Sequence, residues 1–227
     1  MDWLFPYSLA IGEIVWINLL LSGDNAVVIA LACRQLEPRQ RWWGLLLGTG
    51  AAIVLRIIFA FLVTWLMAIP FLKLVGGLLL LWIAVKLLHT ETEEEHKVKG
   101  STRLLQAVGT IALADLAMSL DNVIAIAGVA HGNSALFIFG LVLSMPLIMV
   151  GATLISSLVA RFPIVVWAGA ALLGWIAGEM IADDSAVAAQ FAITPGSEMM
   201  YLFALVGAVF VLTLSYWLKS SAEKAKT

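Results

Sequence analysis

Apolar residues run along this chain in blocks longer than an ordinary core helix needs. Stretches near 20 residues, enough to cross a bilayer as α-helix, fall at about 9–32, 42–67, 70–88, 104–129, 135–159, 163–182 and 199–218. They predict an all-α fold, a polytopic membrane protein with seven transmembrane helices. Polar residues interrupt these blocks rarely, and one interruption is repeated. SGDNAVVIA at 22–30 returns as SLDNVIAIA at 119–127, 97 residues later. A second pair, PFLKLVGGLLLLWIAVK at 70–86 and PIVVWAGAALLGWIAGE at 163–179, aligns Pro70 with Pro163, Gly76 with Gly169 and Trp82 with Trp175.

The two correspondences divide the chain into a three-helix repeat at 1–89, a charged linker at 90–103, a second three-helix repeat at 104–184, and a seventh helix with its tail at 185–227. An odd number of spans per repeat sends the second unit into the membrane from the opposite face, so the repeats are inverted. Secondary transporters are commonly built this way, with the site near the midplane where the repeats meet. The alternative is a duplication that served only to make a stable bundle.

Helical spacing places Asn18, Ser22 and Asn25 on one face of the first span, and Asp115, Ser119 and Asn122 on one face of the fourth. Asp24 and Asp121 lie about 100° from those faces in a regular helix. Gly23 would permit local unwinding that swings Asp24 into a shared cavity; Leu120 gives the fourth span no such freedom. Pro146 is expected to kink the fifth span. Trp16, Trp82 and Trp175 are expected to pack inside, whereas Trp3, Trp42, Trp43 and Trp217 suit the membrane interfaces.

Composition agrees with this picture. Of 227 residues, 62% are hydrophobic and 12% charged, with a mean hydropathy of +1.01. Little chain remains for a soluble nucleotide-hydrolysing domain, so gradient-driven transport is expected rather than enzyme catalysis, with no catalytic or cofactor-binding residues and no nucleic-acid partner. The beginning of the chain lacks a basic stretch followed by a cleavage site, so the first span is expected to be retained. Cys33 stands alone, which excludes an internal disulfide and a thiolate cluster. Arg34, Arg39 and Arg41 follow the first span, Lys97, Lys99 and Arg103 the third, Arg161 the fifth, and Lys219, Lys224 and Lys226 the seventh. Lys73 is the exception to this alternation. Positive charge marks the cytoplasmic side, so the N-terminus is expected outside and the C-terminus in the cytoplasm.

The chemistry rests on Asp24, Asn25, Asp115, Asp121 and Asn122, with Asn18, Ser22 and Ser119 close by. These are oxygen ligands without histidine or cysteine, which suits magnesium, calcium and manganese(II) rather than zinc or copper(I). Desolvated carboxyl groups emptied of a cation take up protons, so metal flux is expected to be proton-coupled. The competing reading makes these residues interhelical hydrogen-bonding glue, worth on average about 0.6 kcal/mol per bond in membrane proteins; Asn or Ser alone would serve that purpose. Arg56, mid-span, needs a counter-ion, expected in Asp24, Asp115 or Glu13. Lys86 is expected to snorkel to an interface. Glu179, Asp183 and Asp184 are expected either to line an exit vestibule or to form a solvated helix end. His89, His96 and the linker glutamates read as solvent-facing, and His131 as part of an outer turn.

INLLLSGDNAVVIALACR in the first span, AAIVLRIIFAF in the second and DLAMSLDNVIAIAGVAHG in the fourth together resemble the TerC family of bacterial integral membrane proteins, a distant relative of the LysE-type exporters. The resemblance covers all seven spans. It implies a seven-span transporter of the bacterial cytoplasmic membrane that exports manganese(II), with Asp24, Asn25, Asp115, Asp121 and Asn122 as the metal candidates. It also implies a second possibility, that such proteins help supply metal to secreted proteins in company with the secretion machinery. Many relatives are acidic where this chain has Asn18, so the charge symmetry of the repeats is broken here. A LysE-like exporter of amino acids or small cationic solutes is the alternative cargo class. The residues leave open the choice among manganese, calcium and magnesium, and the oligomeric state. A retinal protein is disfavoured because 199–218 contains no lysine for a Schiff base.

Overall fold

A computed structural model describes residues 4–66, 69–93, 100–130 and 134–224. Trp3, His96, Lys97, Lys99, His131 and Lys226 therefore lie outside the described residues. Apolar blocks bounded by proline, glycine or charge become helices: α1 (Leu4–Cys33), α2 (Pro38–Leu66), α3 (Leu72–Glu93), α4 (Gly100–Ala130), α5 (Ser134–Arg161), α6 (Ile164–Ala182), α7 (Ser185–Phe191) and α8 (Glu198–Lys224). The short α7 was not expected from the apolar pattern, which has no period to detect in seven residues. Five stretches are long and apolar enough to cross a membrane among the described residues: Ile11–Cys33, Pro38–Leu62, Ala135–Arg161, Ile164–Ala182 and Glu198–Ser221.

The helices pack in a recurring pattern. α1 packs on α5 just as α4 packs on α2, and α1 also meets α4 while α3 meets α6. Residue contacts repeat with the helices. A side chain at Gly48 of α2 would strike Ile111 of α4, and one at Gly140 of α5 would strike Ile126 of α4 and come within 3.1 Å of Ile14 of α1. Ile14 and Ile111 stand 97 positions apart, the offset of the repeated Ser-x-Asp-Asn, and Gly48 and Gly140 stand 92 apart. Carried along α2 and α5, that second offset equates Ala52 with Ser144 and Arg56 with Ile148, and all four are buried.

α8 docks against α6 through glycine. A Cβ at Gly174 would fall 2.6 Å from the Gly207 carbonyl, and one at Gly178 would overlap the Phe203 carbonyl. Backbone-to-backbone approach of this kind is how membrane helices associate where apolar side chains gain nothing by leaving lipid.

Two local expectations fail. α1 continues as unbroken helix through Gly23, which is exposed. A helix broken there would leave backbone groups unpaired in apolar surroundings, a cost nothing here offsets. Trp16 and Trp82 do not pack inside; they are 62% and 53% exposed on the bundle surface. Helices apolar on every side give no stripe from which to read the inward face. Trp175 is half-buried and donates to Glu179 at 2.8 Å, while Lys86 lies over the Trp82 ring.

Candidate functional site

Six of the eight predicted polar residues are the deeply buried ones. Asn18, Ser22 and Asn25 on α1 and Asp115, Ser119 and Asn122 on α4 turn inward together, as their shared helical faces require. Asp24 and Asp121, off those faces, are only half-buried. α2 and α5 add Thr49, Arg56 and Ser144, also buried.

Asp115 organises the cluster. Arg56 Nη2 donates to its Oδ1 at 2.7 Å, and the two side chains are 3% and 4% exposed. Ser119 donates to its Oδ2 at 2.7 Å. Arg56 Nη1 donates to Ser144 at 3.2 Å, and Ser144 in turn donates to the Leu141 carbonyl. Of the three counter-ions open to Arg56, Asp115 is the one used; Glu13 is exposed. Asp24 takes the Asn25 backbone N–H at 2.7 Å and lies within electrostatic reach of Arg56 and Asp115.

The amide nitrogens of two asparagines are tied to their own helix. Asn18 Nδ2 donates to the Ile14 carbonyl at 2.9 Å, and Asn25 Nδ2 to the Leu21 carbonyl at 2.6 Å. Each amide thus spends a donor on its own helix. Asn25 and Asp115 line one small void of about 10 Å³ with Val28, Ile29, Ala52, Ile111, Ala114 and Ile148. About one water-sized probe fits such a space.

Asp121 does not join this group. Its Oδ1 is 2.8 Å from Lys73 Nζ, which also contacts Asp183. Among the described residues no three His, Cys, Asp or Glu side chains come together as a metal-holding group. The predicted residues therefore separate into a buried cluster around Asn25 and Asp115, with Asp24 beside it, and a second station at Asp121. Asp184 is neither vestibule lining nor solvated end. It is 2% exposed, and its two oxygens accept the Leu74 N–H of α3 and the Ala186 N–H of α7, each at 3.1 Å. One carboxylate thus caps two helix N-termini, satisfying donors that otherwise lack partners.

Sequence reasoning missed Ser144, Thr49 and the role of Lys73. Thr49 Oγ1 is buried with no partner among the described residues, one turn before Ala52 on the same α2 face. The signal was present in a Gly-Thr-Gly within an apolar block. Lys73 was visible as the one basic residue against the alternation, but its partners lie 48 and 110 positions away (121 − 73; 183 − 73).

A helical bundle with an extensive apolar surface and its deepest charges paired inside is an integral membrane protein. The chain belongs to the integral membrane protein TerC family, which it matches over residues 6–223. It is 44% identical over 178 residues to the "Uncharacterized membrane protein YjbE" of Bacillus subtilis, covering 78% of this chain and 81% of that one. It is 30% identical over 172 residues to the "UPF0053 inner membrane protein YgdQ" of Escherichia coli K12, covering 68% of this chain and 72% of that one. No solved structure matches it.

Proposed function

We propose that the chain is a secondary transporter that exports a divalent cation, manganese(II) in the first place, across the bacterial cytoplasmic membrane in exchange for protons. In this reading seven helices span the bilayer as two inverted three-helix repeats plus α8, with the N-terminus outside and the C-terminus in the cytoplasm. The recurring pairs α1–α5 and α4–α2, with Gly140 on Ile14 and Gly48 on Ile111, support the repeats.

The observation that carries the reading is the void between α1 and α4, with Asn25 of the first repeated motif and Asp115, one turn before the second, on its wall. Its donors are hard oxygen atoms, the kind that manganese, magnesium and calcium accept. Asp24 is the acid left for cargo: it has no ion-pair partner among the described residues, whereas Asp115 and Asp121 each hold a basic side chain. Arg56 keeps Asp115 neutralised until a cation arrives.

The Arg56 guanidinium on Asp115 also favours a second reading, export of an amino acid or other small amine, because the same carboxylate already holds a nitrogen cation. The small void counts against it, since an amino acid needs far more room than one ion or water. The test is flux from the purified protein in liposomes, with cell metal content compared under manganese, calcium, magnesium, iron and zinc loading. Manganese flux without amino-acid flux is expected, and Asp24→Asn should lower it at least roughly tenfold, as loss of a metal-supporting group does. Full flux through Asp24→Asn would remove the assignment.

A further inference from the structure

Lys73 stands in the first turn of α3, where its ammonium joins three elements: α3 itself, α4 through Asp121 and the end of α6 through Asp183. Below it lies a cavity of about 220 Å³ walled by α2, α3, α4 and α6. The wall is apolar, with Phe59, Leu79, Ala117 and Met180 on it, and Lys73 and Asp121 are its charged residues. On α4 the cavity begins at Leu116, directly after Asp115, and reaches Asp121. Five residues of rise make that step about 7.5 Å. The cavity thus runs along α4 to the Lys73 station, at the end of the bundle that carries the α2–α3 turn.

The opposite end is built differently. The offset of 93 that pairs Gly76 with Gly169 puts Val166 where Lys73 would be, and Val166 is buried in the apolar core. Asp24, the counterpart of Asp121, makes no ion pair among the described residues. The carboxylate on α4 is closed by a salt bridge and its counterpart on α1 is not.

We propose that Lys73 is a tethered counter-cation that closes this cavity at the α2–α3 end, and that cargo leaves there by taking the place of the ammonium on Asp121. This rests on the transport reading above. With the ammonium displaced, Asp121 and Asp183 present two negative charges, which a divalent cation balances and a monovalent one does not. Lys73 thereby acts as a charge filter as well as a latch.

The latch can be read without measuring transport. In a Cys33→Ala background, Ala117→Cys places one thiol on the cavity wall, and a membrane-impermeant maleimide is added from the α2–α3 side of liposomes holding the full chain. With Lys73 present, labelling should be slow, and manganese(II) should speed it. Lys73→Met and Asp183→Asn should each raise the basal rate by up to roughly fivefold, the limit for loss of a partly exposed ion pair, and manganese should add nothing in Lys73→Met. Lys73→Arg keeps the charge and should stay slow, which separates loss of the latch from loss of the fold. Equal labelling with and without the Lys73 charge overturns the latch. Labelling that depends on Lys73 but ignores manganese overturns displacement by cargo. Lys73-dependent labelling in a protein that moves no cation leaves the latch standing and removes the transport reading instead.

Discussion

Asp115→Asn imposes on the second motif the residue that the first motif carries at Asn18. It leaves the Arg56 guanidinium, 2% exposed, without its carboxylate 2.7 Å away. Removing one partner of a buried ion pair costs about 3–5 kcal/mol, and the Ser144 bond to Nη1, present in parent and variant alike, does not change that difference. This corresponds to about 6–20 °C in Tm at 2–4 °C per kcal/mol for a chain of this length. Arg56→Ile alone should cost a similar amount by stranding Asp115. The double variant Arg56→Ile/Asp115→Asn copies the arrangement already found at the counterpart positions, Asn18 and Ile148. Replacing both members of a buried pair is often close to neutral, so it should unfold within about 3 °C of the parent, with a coupling energy of at least ~2 kcal/mol. Thermal unfolding in detergent, followed by size-exclusion of the folded fraction, measures all four proteins. A double variant as unstable as the two singles added together would refute this account of the pair.

Other outcomes follow from single contacts. Asp184→Ala should cost about 1–3 kcal/mol, because both the α3 and α7 N-termini lose a capping oxygen in a buried setting; melting in detergent checks it, and an unchanged Tm would discount the double cap. Gly178→Ala drives a methyl into the Phe203 carbonyl and should release α8 from α6, seen as loss of disulfide trapping between cysteines placed along the two helices. Brominated lipid should quench single-tryptophan variants retaining Trp16 or Trp82 and largely spare one retaining Trp175.

The period of the helix made much of the site legible. Spacings of four and three put 18, 22 and 25 on one face and 115, 119 and 122 on another, and burial follows those faces. Which helix each face meets was not legible, since Arg56 had three acids to choose from and only packing selects Asp115. The Lys73–Asp183 and Leu74–Asp184 contacts were hidden for the same reason: each spans 110 positions along the chain. Trp16 and Trp82 were misplaced because α1 and α3 are apolar almost all round, so composition carries no direction.

The ion pairs that join the two halves of the chain have a consequence for the assembly of the molecule. Arg56 and Lys73 come from one half of the chain, and the acids they meet, Asp115, Asp121 and Asp183, from the other. Neither half is electrically complete, and a lone Arg at mid-bilayer costs roughly 2.5–3.5 kcal/mol to insert. The first half alone leaves both cations without the acids that hold them, so neither piece is expected to be stable without the other. Expressed separately, the fragments should accumulate only when made together.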